Sequence, residues 1–170
     1  MRLSLRLEIE TDGGFMSEWT KRLADAQKEK ERQVREAESL LVQQREHAKQ
    51  LFPAIWQRLF EQIRSDVAAY NQERGDQYLQ FAGEPSGDCM VRRLRAPVAS
   101  VAVRTEPPQI RYCRSSQKST GGSASGYDGA LTLKLRGETP FFVDDNGSRE
   151  MLTVEEVSEY LLTPVCNPTS

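Results

Sequence analysis

From Ser17 to Gln50 the chain carries almost no helix breaker and a dense mixture of charge, as in KEKERQVREAE. Glu18–Arg22, Lys21–Asp25, Glu31–Arg35 and Arg32–Glu36 are opposite charges four residues apart, which favours a helix; Lys28–Arg32 and Arg45–Lys49 oppose it. The apolar content is a narrow stripe: Trp19, Leu23, Ala26, Val34, Ala37, Leu41, Ala48, Leu51 and Ile55. From Val34 the spacing alternates between three and four, with Gln44 filling one seam position, which is a diluted heptad period. A helix over residues 17–51 would extend about 52 Å at ~1.5 Å per residue. The domain of about 100 residues that follows has a radius of gyration near ~13 Å. One such domain does not cover that helix along its length. The reading is a charged helical stalk at 17–51, a coiled-coil candidate. Its seam of Val34, Ala37, Leu41, Ala48 and Leu51 would meet a second copy of the chain, as a dimer, or a helical protein partner. The bland alternative is a solvated single helix held by its charge pairs.

The stretch KQLFPAIWQRLF marks a change of character. Beyond Pro53 the stripe widens to Phe52, Ile55, Trp56, Leu59, Phe60, Ile63, Val67 and Tyr70, the i, i+3, i+4 pattern of a helix on a broad core. Pro53 has no N–H and its ring presses on the Lys49 carbonyl, so the helix is expected to kink or break there. Gly75 in QERGD is its stop signal. The polar face of LFPAIWQRLF is mixed in charge rather than rich in Lys and Arg, which argues against a membrane surface as partner. No run of 18 or more apolar residues exists, so no membrane span is expected.

Residues 76–170 read as strands and a closing helix. The strands are expected at Gln77–Phe81, Cys89–Arg95, Val98–Arg104, Gln109–Arg114, Tyr127–Arg136 and Pro140–Val143, with turn signals EPSGD, EPP, RGETP and DDNGS between most of them. Short connections imply antiparallel neighbours. Thr153 is placed to cap the helix VEEVSEYLL, with Glu155 and Glu156 at its positive end and Pro164 as its stop. The Gly/Ser-rich stretch 115–126 reads as a flexible hairpin loop; it lacks the GxxxxGK[ST] pattern of a phosphate-binding loop. The fold class is therefore α+β: a long N-terminal helix, an antiparallel sheet of five or six strands and a short C-terminal helix, the globular part covering 52–170.

Residues 1–16 are ambiguous. Leu3, Leu5, Leu7 and Ile9 alternate with polar residues, as in a half-buried strand ended by TDGG. Equally, Met16 opens like a natural start, with Ser17 as helix cap and the preceding residues a translated upstream segment. The N-terminus has no unbroken apolar core, so a secretory signal is not expected. Cys89, Cys113 and Cys166 are widely spaced and form no CxxC or zinc pattern. The expectation is a reducing cytoplasm, with the thiols acting as small apolar residues.

For chemistry the residues offer little. The net charge of −2 selects neither nucleic acid nor membrane. The lone histidine, His47, lies in the charged stalk, so no Ser-His-Asp or Cys-His arrangement is available near the sheet. DDNGSREMLTVE faintly echoes a calcium loop, but Arg149 stands where Gly is required. No metal, cofactor or catalytic residue is assigned, and an enzyme is not the favoured reading. Alternation does sort the sheet. Ala99, Val101, Val103, Ile110, Tyr112, Leu131, Leu133 and Leu135 point to a core; Arg104, Arg111, Lys134 and Arg136 share the other face with Ser100, Ala102, Cys113 and Thr132. The leading expectation is a non-enzymatic interaction or assembly module. The rival is an anion or nucleic-acid binder using Arg104, Arg111, Lys134 and Arg136. Against it, that face carries no aromatic residue for base stacking, and the acidic segment 138–170 can neutralise the basic strands.

Overall fold

The computed structural model describes residues 13–117 and 125–167. The chain divides into two compact units, Met1–Val42 and Gln43–Ser170. The described residues of the first unit are the opening part of α1 (Gly13–Arg74). In the second unit the rest of α1 is followed by β1 (Leu79–Gly83), β2 (Cys89–Arg93), β3 (Val98–Glu106), β4 (Gln109–Gln117), β5 (Ser125–Arg136), β6 (Thr139–Asp144), β7 (Glu150–Met151) and α2 (Val154–Cys166). The class is α+β. The strands form one antiparallel meander in chain order, β1 to β7.

Every described side chain from Glu18 to His47 is exposed. Local ion pairs decorate this stretch: Glu29–Arg32 at 2.9 Å, Arg32–Glu36 at 3.8 Å and Glu18–Arg22 at 3.9 Å. Such pairs contribute only ~0.2–0.5 kcal/mol each. The helix begins at Gly13, so Ser17 is inside it rather than at its cap. First-turn residues have no carbonyl four residues back to bond, which lets the glycines of TDGG join the helix. The strand expected over residues 1–16 falls mostly outside the described residues.

In the second unit, Pro53 does not break α1, which is one element across it. The ring lies on the exposed side of the helix, while Ala48, Phe52, Trp56, Leu59, Phe60, Ile63 and Val67 are buried on the other. Proline in a helix interior costs ~3 kcal/mol or more; burying several large side chains at ~1.5–3 kcal/mol each outweighs that. The helix stops at Gly75, whose φ of 71° is open to glycine and whose N–H donates to the Gln72 carbonyl at 3.1 Å. Asn71 then ties the helix to the sheet. Its amide accepts from the N–H groups of Tyr78 and Leu79 and donates to the Leu79 carbonyl.

All six expected strands form, and a seventh, β7, closes the sheet. Its signal was DDNGS: Asp144 accepts from the N–H groups of Ser148 and Arg149 and from the Ser148 hydroxyl, folding the turn that brings Met151 onto the core beside Phe142. The β5–β6 hairpin is a two-residue turn, with Arg136 opposite Thr139 and Gly137 at φ 64°. The Gly/Ser stretch 115–126 is not all loop. Ser115 pairs with Gly126 and Ser116 with Ser125, because ladder hydrogen bonds use backbone groups that serine supplies as well as any residue. Residues 118–124 lie outside the described residues.

One sheet face packs on α1 and α2. Ala99, Val101, Val103, Ile110, Tyr112, Leu131 and Leu133 are buried there, with Leu135 packed at the margin. Asp66 of α1 accepts from Ser158 of α2 at 2.6 Å, joining the two helices inside that layer. α2 begins with a full capping box between Thr153 and Glu156. Pro164 does not stop it; the helix continues to Cys166. A proline at 164 leaves the Tyr160 carbonyl without its helical donor. Arg114, reaching in from β4, donates to that carbonyl at 2.6 Å, and its guanidinium lies 4.6 Å from the centroids of both the Tyr112 and Tyr160 rings. Arg93 does the same at the helix end, donating to the Cys166 carbonyl at 3.3 Å. α2 has no basic residue in its own last turn, so two arginines of the sheet complement its negative end.

Candidate functional site

Two surfaces carry the residues singled out from the sequence: the outer face of the sheet and the exposed stripe of α1.

On the outer face, Arg104 and Arg111 stand directly opposite each other in the β3–β4 ladder. Like charges opposed in this way repel, and the fold answers each with an acid. Arg111 pairs with Glu106 at 2.7 Å and Arg104 with Asp88 at 3.5 Å. Lys134 and Arg136 lie further along β5, opposite Phe141 and Thr139. Arg136 pairs with Glu150 at 2.7 Å and covers the Phe141 ring at 5.0 Å. The four cations therefore form two separate pairs, and three of the four are neutralised within the fold. Beside Arg104 and Arg111 the sheet surface is hollowed into an open depression of about 740 Å³, floored by Ala102 and Ala130 and bordered by Cys113, Asp128 and Asp145. Small side chains on three adjacent strands produce the hollow. Gly129, on β5, belongs to the opposite face, where a side chain would collide with the Tyr112 hydroxyl.

The three cysteines are free thiols in different settings. Cys89 pairs in register with Val103 and points to the core, where burial pushes its thiol up to about 12. Cys113 pairs with Ala102 on the outer face, where a hydrogen bond to Asp128 holds its proton and raises its pKa. The two are on opposite faces of the sheet, which rules out a bridge between them. The Cys113–Asp128 contact was not visible in the sequence; it follows from their direct pairing across β4 and β5.

Along α1 the expected seam divides. Val34 is 50% exposed, Leu41 is 65% exposed and Ala37 is exposed as well. Leu51 is half-buried, and Ala48, at 2% exposure, belongs to the core of the second unit. Ala48 therefore leaves the free seam: the same helical period that lines up Val34, Ala37 and Leu41 brings residue 48 onto the buried face. Trp19 and Leu23, 57% and 53% exposed, extend the free stripe toward the N-terminus.

His47 is an exposed residue of α1. The Asp144 carboxylate is held below its ordinary range chiefly by the Ser148 hydroxyl, a bond that folds the β6–β7 turn. Among the described residues no group of His, Cys, Asp or Glu is placed to hold a metal ion, and no helix is long and apolar enough to cross a membrane. No protein-family model, curated protein or solved structure matches the chain.

Proposed function

We propose that this chain is a protein-interaction module: it self-associates through the exposed stripe of α1, while the outer face of its sheet serves as the recognition surface. The observation that carries the reading is the run of large apolar side chains left in water on one helix. Trp19, Leu23, Val34 and Leu41 are each at least half exposed and share a helical stripe, whereas scattered single apolar residues are the norm on a surface. Charge pairs worth ~0.2–0.5 kcal/mol each give such a helix little cause to persist alone. A partner helix removes the stripe from water at about 25 cal/mol per Å².

Sedimentation equilibrium tests this directly. The intact chain should sediment at about twice its 19.3 kDa mass, and Leu41→Asp should shift it toward the monomer. A monomer at every concentration removes the reading.

A second reading rests on the opposed Arg104 and Arg111 beside an open hollow, a geometry suited to an anion such as a nucleic-acid phosphate. It ranks lower because Glu106 and Asp88 already occupy those guanidiniums. Binding of a single-stranded oligonucleotide at low salt, weakened by added salt and by Arg111→Glu, would support it; absence of binding at low salt removes it.

A further inference from the structure

The exposed stripe of α1 has a more specific geometry than a diluted heptad. Read along the whole helix, three columns repeat every eleven residues. One is Trp19, Lys30, Leu41, Phe52 and Ile63. The second is Leu23, Val34, Arg45, Trp56 and Val67. The third is Ala26, Ala37, Ala48 and Leu59. From residue 48 to residue 67 every member is buried in the core; Tyr70, next in the third column, is half-buried, and Arg74, next in the first, is exposed. Before residue 48 every member is exposed. The same period is thus used twice, once on buried residues of the core and once on exposed ones. Eleven residues in three turns is about 3.67 per turn, close to the ~3.6 of a straight helix, so the stripe runs nearly parallel to the helix axis. Ala26 and Ala37 keep one column low, which lets a second helix approach closely.

Resting on the self-association reading above, we infer that the occupant of this stripe is a second copy of the same chain, laid antiparallel over residues 19–45. Two polar residues interrupt the exposed columns, Lys30 and Arg45, and they decide the orientation. A parallel, in-register pair sets Lys30 against Lys30 and Arg45 against Arg45, which repel. Antiparallel overlap of the full exposed stripe instead sets Leu23 against Leu41, Lys30 against Val34, and Arg45 against Trp19. The last contact places a guanidinium beside the aromatic face it favours. The lysine stem lies along valine and its ammonium reaches outward to water. Charge permits the pairing: the overlap and the residue flanking it at each end, 18–46, hold seven acids and seven bases, so two copies meet without net repulsion. Leu40 and Val42 flank Leu41 in sequence and are exposed too, but each lies about 100° around the helix from it, outside the columns.

Disulfide trapping tests the arrangement in the full-length chain, with Cys113→Ser and Cys166→Ser removing the accessible thiols. Leu23→Cys and Leu41→Cys chains are mixed and oxidised. The expected product is a covalent dimer joining position 23 to position 41, formed only in the mixture, since each variant alone sets its new thiols far apart. In the chain without cysteine substitutions, Leu41→Asp should raise the dimer dissociation constant at least tenfold, and Val42→Asp should leave it within about twofold. Self-linking of Leu41→Cys alone shows a parallel pair and overturns the inference. So does a dimer by sedimentation with no 23–41 product, or one weakened equally by Val42→Asp; in those cases self-association stands and only this seam falls. A monomer at every concentration takes away both.

Discussion

The two stretches of α1 on either side of Ala48 follow one period and meet opposite fates. Upstream, the column residues Leu23, Val34 and Leu41 are in water; downstream, Phe52, Trp56, Leu59 and Ile63 are sealed in a core. Composition differs by degree, since Ala26, Lys30, Ala37 and Arg45 dilute the upstream columns, but both stretches place apolar side chains at helical spacing. The difference is what stands opposite. Downstream the stripe meets the inner face of an antiparallel sheet, and Phe60, for example, packs edge-on against Phe81 of β1 with centroids 5.1 Å apart. Upstream, these side chains are exposed, and the pairs that flank the helix backbone there, such as Glu29–Arg32, are surface ion pairs. The lesson is that a helix of this kind gains its stability from packing, with propensity and ion pairs as minor terms.

The largest expected effect breaks this comparison if it is absent. Leu59→Ala should lower the unfolding free energy by about 2–5 kcal/mol, because the residue is fully buried and its loss leaves a cavity. Leu41→Ala should change it by no more than about 0.5 kcal/mol when measured in dilute protein. If the upstream stripe is covered by another copy, the Leu41→Ala effect should grow with protein concentration while that of Leu59→Ala does not. Urea unfolding at two concentrations a hundredfold apart reads both. Equal effects at both sites would mean that the upstream stripe is already packed within a single chain.

Much of this was legible in the sequence, because the signals are local. Alternation placed Val101, Ile110, Tyr112 and Leu131 on the core side, Thr153 announced α2, and Gly75 ended α1. What escaped depended on distant partners. Pro53 read as a kink or a break and Pro164 as a stop, and both lie inside helices. A proline weakens a helix locally, but whether the helix survives is decided by what packs on the flanking turns and what supplies the missing hydrogen bond. For Pro164 the donor is Arg114, fifty residues earlier in the chain. The candidate site shows the same limit. Alternation gave Arg104, Arg111, Lys134 and Arg136 a common face, but only the register showed two pairs rather than one cluster, and only the ion pairs showed Glu106, Asp88 and Glu150 already answering them. The seam lost Ala48 because a one-dimensional period cannot say where a core begins.

A smaller effect sharpens the same contrast on one strand. Arg111 and Arg114 both belong to β4 and point to opposite sides of the sheet. Arg111 is exposed and makes one surface ion pair, so Arg111→Met should cost at most about 1 kcal/mol. Arg114 is half-buried, bonds the Tyr160 carbonyl and lies against two tyrosine rings, so Arg114→Met should cost about 1–3 kcal/mol through the carbonyl it leaves bare. Pro164→Ala supplies the check. Alanine at 164 restores an N–H that can donate to the Tyr160 carbonyl along the helix, so that carbonyl no longer depends on the guanidinium. In a double-mutant cycle, Arg114→Met should therefore cost less in the Pro164→Ala background than in the parent, by at least about 0.5 kcal/mol. Additive costs would mean that Arg114 stabilises α2 through its ring contacts alone, and that the Pro164 turn is held by some other means.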